Sequence, residues 1–310
     1  MTEDLARAEE ILRTACGERL RTSFPLAPLT TFRIGGPAAL YLEVGSEEDL
    51  AASGRAVRET GVPLVILGKG SNVLVSDAGF RGLAVRLGRA FRWTSHEGER
   101  LTAGGAMPLP ALAGVALGHG LSGIEWAVAI PASFGGGVRM NAGAHGGALA
   151  DVLETIGLYD LGSCEPLVIA AGDAGFGYRR SALPAGCVVV QATMRLEPGD
   201  RAEIRTRMDE VREWRRQHQP LAEPNCGSVF KNPPDHDAAR LIDEAGLKGS
   251  RVGGATVSRK HANFIVTTDG ARAADVVDLI RTVQERVLER SDIRLEPEVH
   301  LVGEFDRVPY

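Results

Sequence analysis

No stretch of this 310-residue chain approaches the roughly 20 consecutive apolar residues that a membrane-spanning helix needs, so a soluble protein is expected, with no membrane partner. The first residues, Met1 to Leu20, set Leu5, Ile11 and Leu12 among charged side chains and lack an uninterrupted apolar core. They read as a short N-terminal helix over 1–20 and not as a secretory signal. The cysteines, Cys16, Cys164, Cys187 and Cys226, are scattered, with no C-x-x-C pair and no matching histidine spacing. That excludes a disulfide framework and a zinc site, and it fits a reducing compartment, most simply the cytoplasm. Asp235-His236-Asp237 beside Pro233-Pro234 reads as a turn leading into a helix, so no metal is expected. An excess of positive charge is also missing: the formal net charge is −5, which argues against a nucleic-acid partner and leaves small anionic ligands open.

Both standard nucleotide fingerprints are absent as well. Leu67-Gly68-Lys69-Gly70-Ser71-Asn72 follows the apolar run Val62 to Leu67. Six residues separate Gly61 from Gly68 where a Walker motif has four, and Gly70 stands in the hydroxyl position. In Ile130-Pro131-Ala132-Ser133-Phe134-Gly135-Gly136-Gly137, Met140 falls where the third glycine of G-x-G-x-x-G belongs. An ordinary Rossmann domain or P-loop is therefore not expected. Two glycine-rich segments in one chain still suggest a large phosphorylated cofactor held by backbone, because glycine lets main-chain N–H groups approach an anion closely. Either segment alone also reads as a plain turn.

The rest is an alternation of strands and helices in a chain with 44% apolar content, enough for a real core and two or three domains. Leu40–Val44, Val62–Leu67 and Leu83–Leu87 read as strands with a helix over Glu47–Thr60, a βαβ-like opening. Pro108–His119 reads as a helix, and Thr155–Asp160 and Cys187–Leu196 as strands. Pro198-Gly199-Asp200 marks a boundary. Beyond it, Arg201–Gln217 places Ile204, Met208, Val211 and Trp214 on one helical face. A helix at Asp237–Ala245, a strand at Asn263–Thr267, a helix at Ala271–Arg290 and a strand at Val299–Val302 complete a smaller α/β unit.

Three polar segments stand out: Phe176-Gly177-Tyr178-Arg179-Arg180-Ser181, Asn225-Cys226-Gly227-Ser228-Val229-Phe230-Lys231-Asn232-Pro233, and Leu295-Glu296-Pro297-Glu298-Val299. Singly they read as a solvated loop, a capping turn and an exposed strand end. In order with Thr30-Thr31-Phe32-Arg33-Ile34-Gly35-Gly36, the two glycine loops and Met140-Asn141-Ala142-Gly143, they make the chain resemble the UDP-N-acetylenolpyruvoylglucosamine reductase family over nearly its whole length.

That resemblance implies an α+β fold: an FAD-binding domain at 21–198, with subdomains at about 21–90 and 91–198 of the kind shared with vanillyl-alcohol-oxidase-like flavoproteins, then a smaller α/β substrate domain at 201–305. It implies noncovalent FAD touched by Arg33, Gly35, Gly68, Lys69, Gly70, Ser71, Asn72, Ile130, Pro131, Ala132, Ser133, Gly135, Gly136, Asn141 and Gly143. It further implies NADPH as hydride donor, a UDP-sugar substrate contacted by Tyr178, Lys231 and Asn232, a monomer, and catalytic roles for Arg179, Ser228 and Glu298. Two departures stand out. Ala129 and Ala132 replace family glycines, and the interval from Arg179 to Ser228 leaves no room for the tyrosine-bearing loop of one branch, so the chain looks like the shorter branch.

The chemistry agrees with these residue types. Reducing an enolpyruvyl ether needs hydride at the terminal alkene carbon and a proton at the carbon bearing the carboxylate, and extra negative charge gathers on that carboxylate between the two. An arginine can hold it through paired N–H donors, a protonated glutamic acid can donate one more hydrogen bond, and a serine can deliver the proton. The alternatives are an alcohol or sugar oxidase of the same fold, and a ligand-binding regulator that would have lost the Arg, Ser or Glu.

Overall fold

The computed structural model describes residues 2–309, and it divides into two compact units built from separated segments. The first takes the residues up to Thr22, Leu40–Lys69 and Gly82–Trp214; the second takes Ser23–Ala39, Gly70–Arg81 and the residues from Arg215 on. The sequence reading divides the chain into consecutive stretches, with the main boundary near Pro198, whereas this grouping sends two early segments, Ser23–Ala39 and Gly70–Arg81, to the later residues.

Helix α1 (Thr2–Cys16) and helix α2 (Glu47–Thr60) open the first unit. Ser46 caps α2 by accepting the Asp49 N–H at 3.4 Å, three carboxylates occupy the first turn, and Gly61 ends the helix at φ 69°. Each is favourable where it stands: carboxylates face the positive end of the helix, and a left-handed terminus suits glycine. Asp49 is buried and also accepts the Gly45 N–H at 2.8 Å and pairs with Arg19. Burial pushes its carboxyl up, but the bonds from Arg19 and Gly45 outweigh it and hold the group below the usual range.

A four-stranded sheet runs in the order Leu20–Pro25, Pro37–Val44, Phe80–Leu87, Leu64–Leu67, the last two parallel. The expected βαβ opening is thus a crossover that skips a position, because Phe80–Leu87 inserts between its two strands. Leu40, Leu42, Leu83 and Val85 from this sheet pack with Ala8, Leu12, Leu50 and Ala56 from the two helices.

The second layer of this unit is a five-stranded antiparallel sheet in the order Glu165–Ala170, Leu153–Asp160, Cys187–Arg195, Arg100–Gly104, Thr94–Glu97. Helix α3 (Leu109–His119), closed by Gly120 at φ 68°, and the short helix α4 (Phe134–Arg139) supply the core that covers it, with Leu109, Leu112, Phe134 and Val138 packed against Leu101, Ile156, Val189 and Met194. Helix α5 (Arg201–His218) adds Ile204 and Met208, and its last turn groups with the second unit.

The second unit forms its own core. Helix α6 (Ala238–Glu244) begins at Asp237, whose carboxylate accepts the Arg240 N–H at 2.8 Å, so the Asp235–Asp237 segment is a helix start. Helix α7 (Ala273–Ser291) buries Val276, Val277, Ile280, Val283 and Val287, the three-and-four spacing of an amphipathic face. Asp77 receives the N–H groups of Ala273 and Ala274 at 2.7 and 3.1 Å. A three-stranded antiparallel sheet (Arg251–Val252, Ala255–Val257, Ile265–Thr267) completes the layer, and His300–Val302 runs parallel to Val73–Val75. Among the described residues no helix is long and apolar enough to cross a membrane, and no cluster of His, Cys, Asp and Glu could hold a metal.

Candidate active site

The glycines of both loops answer first to neighbouring backbone. Gly70 has φ 61°, and a Cβ there would lie 2.2 Å from the Leu29 carbonyl oxygen; Thr31 donates its N–H to the Gly70 carbonyl at 3.1 Å. Gly35 has φ 113°, with a Cβ position 2.6 Å from the Val75 side chain, and the Gly36 N–H reaches the Ser76 carbonyl at 2.8 Å. The segments Thr30–Gly36 and Gly70–Asp77 are thus laced together in the second unit, with the exposed Arg33 at φ 58° at the turn between Thr30 and Gly35. Ser71 is half-buried in the same loop.

In the first unit, Gly68 packs on Ser133: an added Cβ would stand 2.4 Å from its hydroxyl oxygen. Ser133 in turn caps α4, accepting the Gly136 N–H at 3.4 Å, and Gly135 donates its N–H to the Gly105 carbonyl at 2.8 Å. Neither Ala129 nor Ala132 has positive φ, so alanine is accommodated at both departures from the family pattern. Ala132 donates to the Ile130 carbonyl at 2.8 Å across the exposed Pro131, and Gly143 packs closely on the Gly147 carbonyl.

Of these residues, Gly68, Gly105, Ser133, Gly135 and Gly136 line a cavity of about 270 Å³ inside the first unit. Its lining carries four cations, Lys69, Arg86, Arg92 and Arg139, and no carboxylate. Gly68, Gly105, Gly135 and Gly136 leave the walls low, and Leu64 to Leu67 supply apolar surface. An elongated group with a ring at one end and phosphates beyond it meets all three conditions. The residues therefore fit FAD, and the volume suits part of such a cofactor, since drug-sized ligands fill roughly 300–1,000 Å³. Arg86, Arg92, Gly105 and Arg139 were not found from the sequence. For Arg86 and Arg139 the available signal was a lone arginine inside otherwise apolar or glycine-rich runs, Leu83–Leu87 and Gly135–Met140.

Arg139 also fastens the segment that carries Arg179. Its guanidinium donates to the carbonyls of Leu183 at 2.6 Å and Pro184 at 2.9 Å and to that of Cys187. Burial lowers its pKa below the usual arginine range. Ser181 donates its hydroxyl to the Arg139 carbonyl at 2.7 Å, and Asn141 donates its amide to the Gly177 carbonyl at 3.0 Å while accepting the Ala150 N–H at 2.9 Å. Between these anchors Gly177 and Arg180 pair in a tight two-residue turn with Tyr178 and Arg179 at its tip. Arg179 sits at φ 56°, its guanidinium carbon 5.3 Å from the centre of the exposed Tyr178 ring.

Ser228 and Glu298 belong to the second unit and share one backbone ladder. Glu298 donates its N–H to the Val229 carbonyl at 2.7 Å, and Lys231 donates to the Glu296 carbonyl at 2.9 Å. Asn72, at the end of the first glycine loop, donates its side-chain amide to the Glu298 carbonyl at 3.1 Å, and its own carbonyl accepts the His300 N–H at 3.0 Å. The half-buried Ser228 follows Gly227 at φ 80°, and among the described residues no hydrogen bond engages its hydroxyl. The buried Cys226 thiol is pushed far above its ordinary pKa, by burial first and by the Glu298 carboxylate second. Lys231 is paired with Glu296 at 2.5 Å, a carboxylate 70% exposed, and Asn232 accepts the Ala238 N–H at 3.0 Å at the start of α6.

The geometry yields a flavin-retention test. Gly70→Val should yield protein without bound flavin, because both the left-handed backbone and the Leu29 carbonyl oppose a side chain there. Gly61→Ala, equally left-handed but facing open space, should stay yellow. Full flavin occupancy in Gly70→Val, read from the visible spectrum and the ratio of flavin to chain, would show that the loop does not govern the cofactor.

Comparison with known proteins bears on the whole chain. Residues 219–302 match the C-terminal domain of UDP-N-acetylenolpyruvoylglucosamine reductase, and residues 38–160 match an FAD binding domain. A UDP-N-acetylenolpyruvoylglucosamine reductase from Anaeromyxobacter sp. (strain Fw109-5) is 47% identical over 296 residues, covering 96% of this chain and 92% of the relative. One from Synechococcus sp. (strain JA-3-3Ab) is 44% identical over 93% of each. The crystal structure of the UDP-N-acetylenolpyruvylglucosamine reductase from Thermus caldophilus superimposes with a TM-score of 0.80 at 38% identity, covering 92% of this chain and all of that one. The chain belongs to the UDP-N-acetylenolpyruvoylglucosamine reductase family.

Proposed function

We propose that this protein is an FAD-dependent reductase that uses NADPH to reduce the enolpyruvyl ether of UDP-N-acetylglucosamine enolpyruvate to UDP-N-acetylmuramate, a step of peptidoglycan precursor synthesis carried out in the cytoplasm. The observation that carries the reading is the ladder that fixes Ser228 and Glu298 together through the Glu298 N–H and the Val229 carbonyl, in a chain matched along 96% of its length by a reductase of that name. FAD, held at the cavity lined by Gly68, Lys69, Gly135 and Gly136, would supply the hydride chemistry that links NADPH to the alkene. Everything else falls to the chain's own residues.

Arg179 pairs with the substrate carboxylate through its fork of N–H donors. The strain of its left-handed backbone is held by the anchors at Asn141, Ser181 and Arg139, so the turn that carries it is fixed before substrate arrives. Glu298, as the neutral acid, donates a hydrogen bond where negative charge gathers on that carboxylate, the arrangement that stabilises a developing oxyanion. Ser228 delivers the proton to the carbon beside it. A serine hydroxyl is a weak acid, but its partner is strongly basic, and the hydroxyl has no competing bond within the described chain. Lys231, bound to Glu296, serves substrate contact in this scheme and not acidification of Ser228.

The direct test follows NADPH absorbance with and without the enolpyruvyl UDP-sugar. Consumption should depend on the sugar and match the muramate formed; equal oxidation in its absence, with the sugar recovered unchanged, would discard the proposal. Stopped-flow measurement then separates the halves. Ser228→Ala should be reduced by NADPH at a near-normal rate and reoxidised by the sugar roughly 10²- to 10⁴-fold more slowly, the usual loss of a general acid. Slowing of both halves together would make Ser228 structural. The two carboxylates also part company: Glu298→Ala should lower kcat roughly 10²- to 10³-fold, as removal of an oxyanion donor does, while the exposed Glu296→Ala should leave kcat near the wild-type value. Equal losses would mean that the role was given to the wrong residue.

A further inference from the structure

The peptides just after Ser228 lie outside any regular strand, yet they are fully engaged on two sides. On one side stand the Glu296 and Glu298 backbones. On the other stands a single residue, Asn263, only 3% exposed. Its main-chain carbonyl accepts the Val229 N–H at 2.9 Å, its side-chain Oδ1 accepts the Phe230 N–H at 2.9 Å, and its side-chain Nδ2 donates to the Phe230 carbonyl at 2.8 Å. A primary amide carries a donor and an acceptor side by side, so it mimics the edge of one peptide group. The Asn263 side chain stands in for a strand residue that the chain does not supply. Its own position is set by His261, whose ring Nδ1 accepts the Asn263 N–H at 3.3 Å and whose carbonyl accepts the Phe264 N–H at 3.0 Å.

We infer that Asn263 is a positioning residue for the protonation half of the reaction, its buried amide holding the Val229–Phe230 peptides so that Ser228 and Glu298 keep one fixed register. The inference rests on the reading of Ser228 as proton donor. A side chain that only filled space would leave the Phe230 N–H and carbonyl unpaired, and the segment would drift to find water. Displacement of a reacting group by about 1 Å costs on the order of 10²-fold in rate. The flavin-reduction half uses neither Ser228 nor Glu298 and should be indifferent.

The test uses the full-length, flavin-loaded protein with Asn263→Ala, Asn263→Asp and, alongside them, Ser228→Ala. Reduction by NADPH and reoxidation by the enolpyruvyl UDP-sugar are each followed across pH. Asn263→Ala should reduce normally and reoxidise at least about tenfold more slowly, within the range of misplacement. Asn263→Asp carries a sharper signature. Its neutral carboxylic acid can still donate to the Phe230 carbonyl, whereas the carboxylate cannot, so reoxidation should approach the wild-type rate at low pH and fall as pH rises. Burial should set that ionisation above the ordinary aspartate value of about 3.9. His261 on the same segment and Glu298, Cys226 and Lys231 around the ladder are the other ionisable groups nearby, and the wild-type profile supplies any contribution of theirs as the baseline. Reoxidation that is fast in Asn263→Ala, that lacks a new pH dependence in Asn263→Asp, or that slows in step with reduction would overturn the inference. If Ser228→Ala is slow while the Asn263 variants are fast, the positioning role falls and Ser228 keeps its own; if Ser228→Ala is fast, the reading of Ser228 falls and the inference goes with it. Should Asn263→Ala fail to accumulate, the Asn263→Asp pH profile decides alone.

Discussion

The need to pair backbone groups in short, irregular segments governs the second unit. Residues 228–231 and 296–298 form no regular strand, and a buried N–H or carbonyl left without a partner costs roughly 1–3 kcal/mol. The chain meets this with an unusual mixture: the Val229 carbonyl takes the Glu298 N–H, the Glu296 carbonyl takes the Lys231 N–H, and the side chains of Asn263 and Asn72 complete the two edges. The consequence is a register. Ser228 and Glu298 come from distant parts of the sequence, yet each is one bond away from the same peptide. Asn72 adds a second consequence, because the residue that ends the first glycine loop also holds the Glu298 carbonyl.

The first unit solves a related problem with close approach instead of amides. Gly68 lies against Ser133, and Gly135 against the Val189 carbonyl, at distances that no Cβ permits, and Gly135 stands nearly as close to Gly105. A loop, a helix start and a strand end thereby reach one cavity without filling it. Arg139 extends the same logic to the segment that follows Arg179, replacing a missing strand partner with three guanidinium bonds to carbonyls. Holding a left-handed arginine between such anchors costs stability in the loop, a strain that the surrounding bonds offset.

Much of the scaffold was legible in the sequence because local rules and tertiary demands agree there. Helix α2 falls on the expected span, Glu47–Thr60, since a serine cap, an acidic first turn and a terminal glycine all point the same way. Helix α7 is legible from its apolar spacing. The strands Leu20–Pro25, Thr94–Glu97, Arg100–Gly104 and Glu165–Ala170 are not: they are short or edge strands, with charged and threonine-rich or exposed stretches that carry no alternation. The site residues came from an ordered set of motifs, and periodicity alone would have left them as turns. Asn263 and Arg139 escaped both kinds of reading. Their partners are main-chain atoms tens of positions away, and nothing about a peptide carbonyl is written in the side chain beside it.

Charge shows the same separation between whole and part. The chain carries a net −5, yet the cavity lining holds Lys69, Arg86, Arg92 and Arg139 with no carboxylate among them. At physiological ionic strength charges on the surface fade over about 8 Å, so distant acidic residues do little to offset cations gathered around a small, partly enclosed space. The local field therefore favours a phosphorylated ligand even though the molecule as a whole is acidic. Arg139 is the instructive member: its bonds go to carbonyl dipoles and not to an acid, so no carboxylate offsets its charge while it is fixed in place. An arginine neutralised by a glutamate would have been held as firmly and would have contributed far less to an anion beside it.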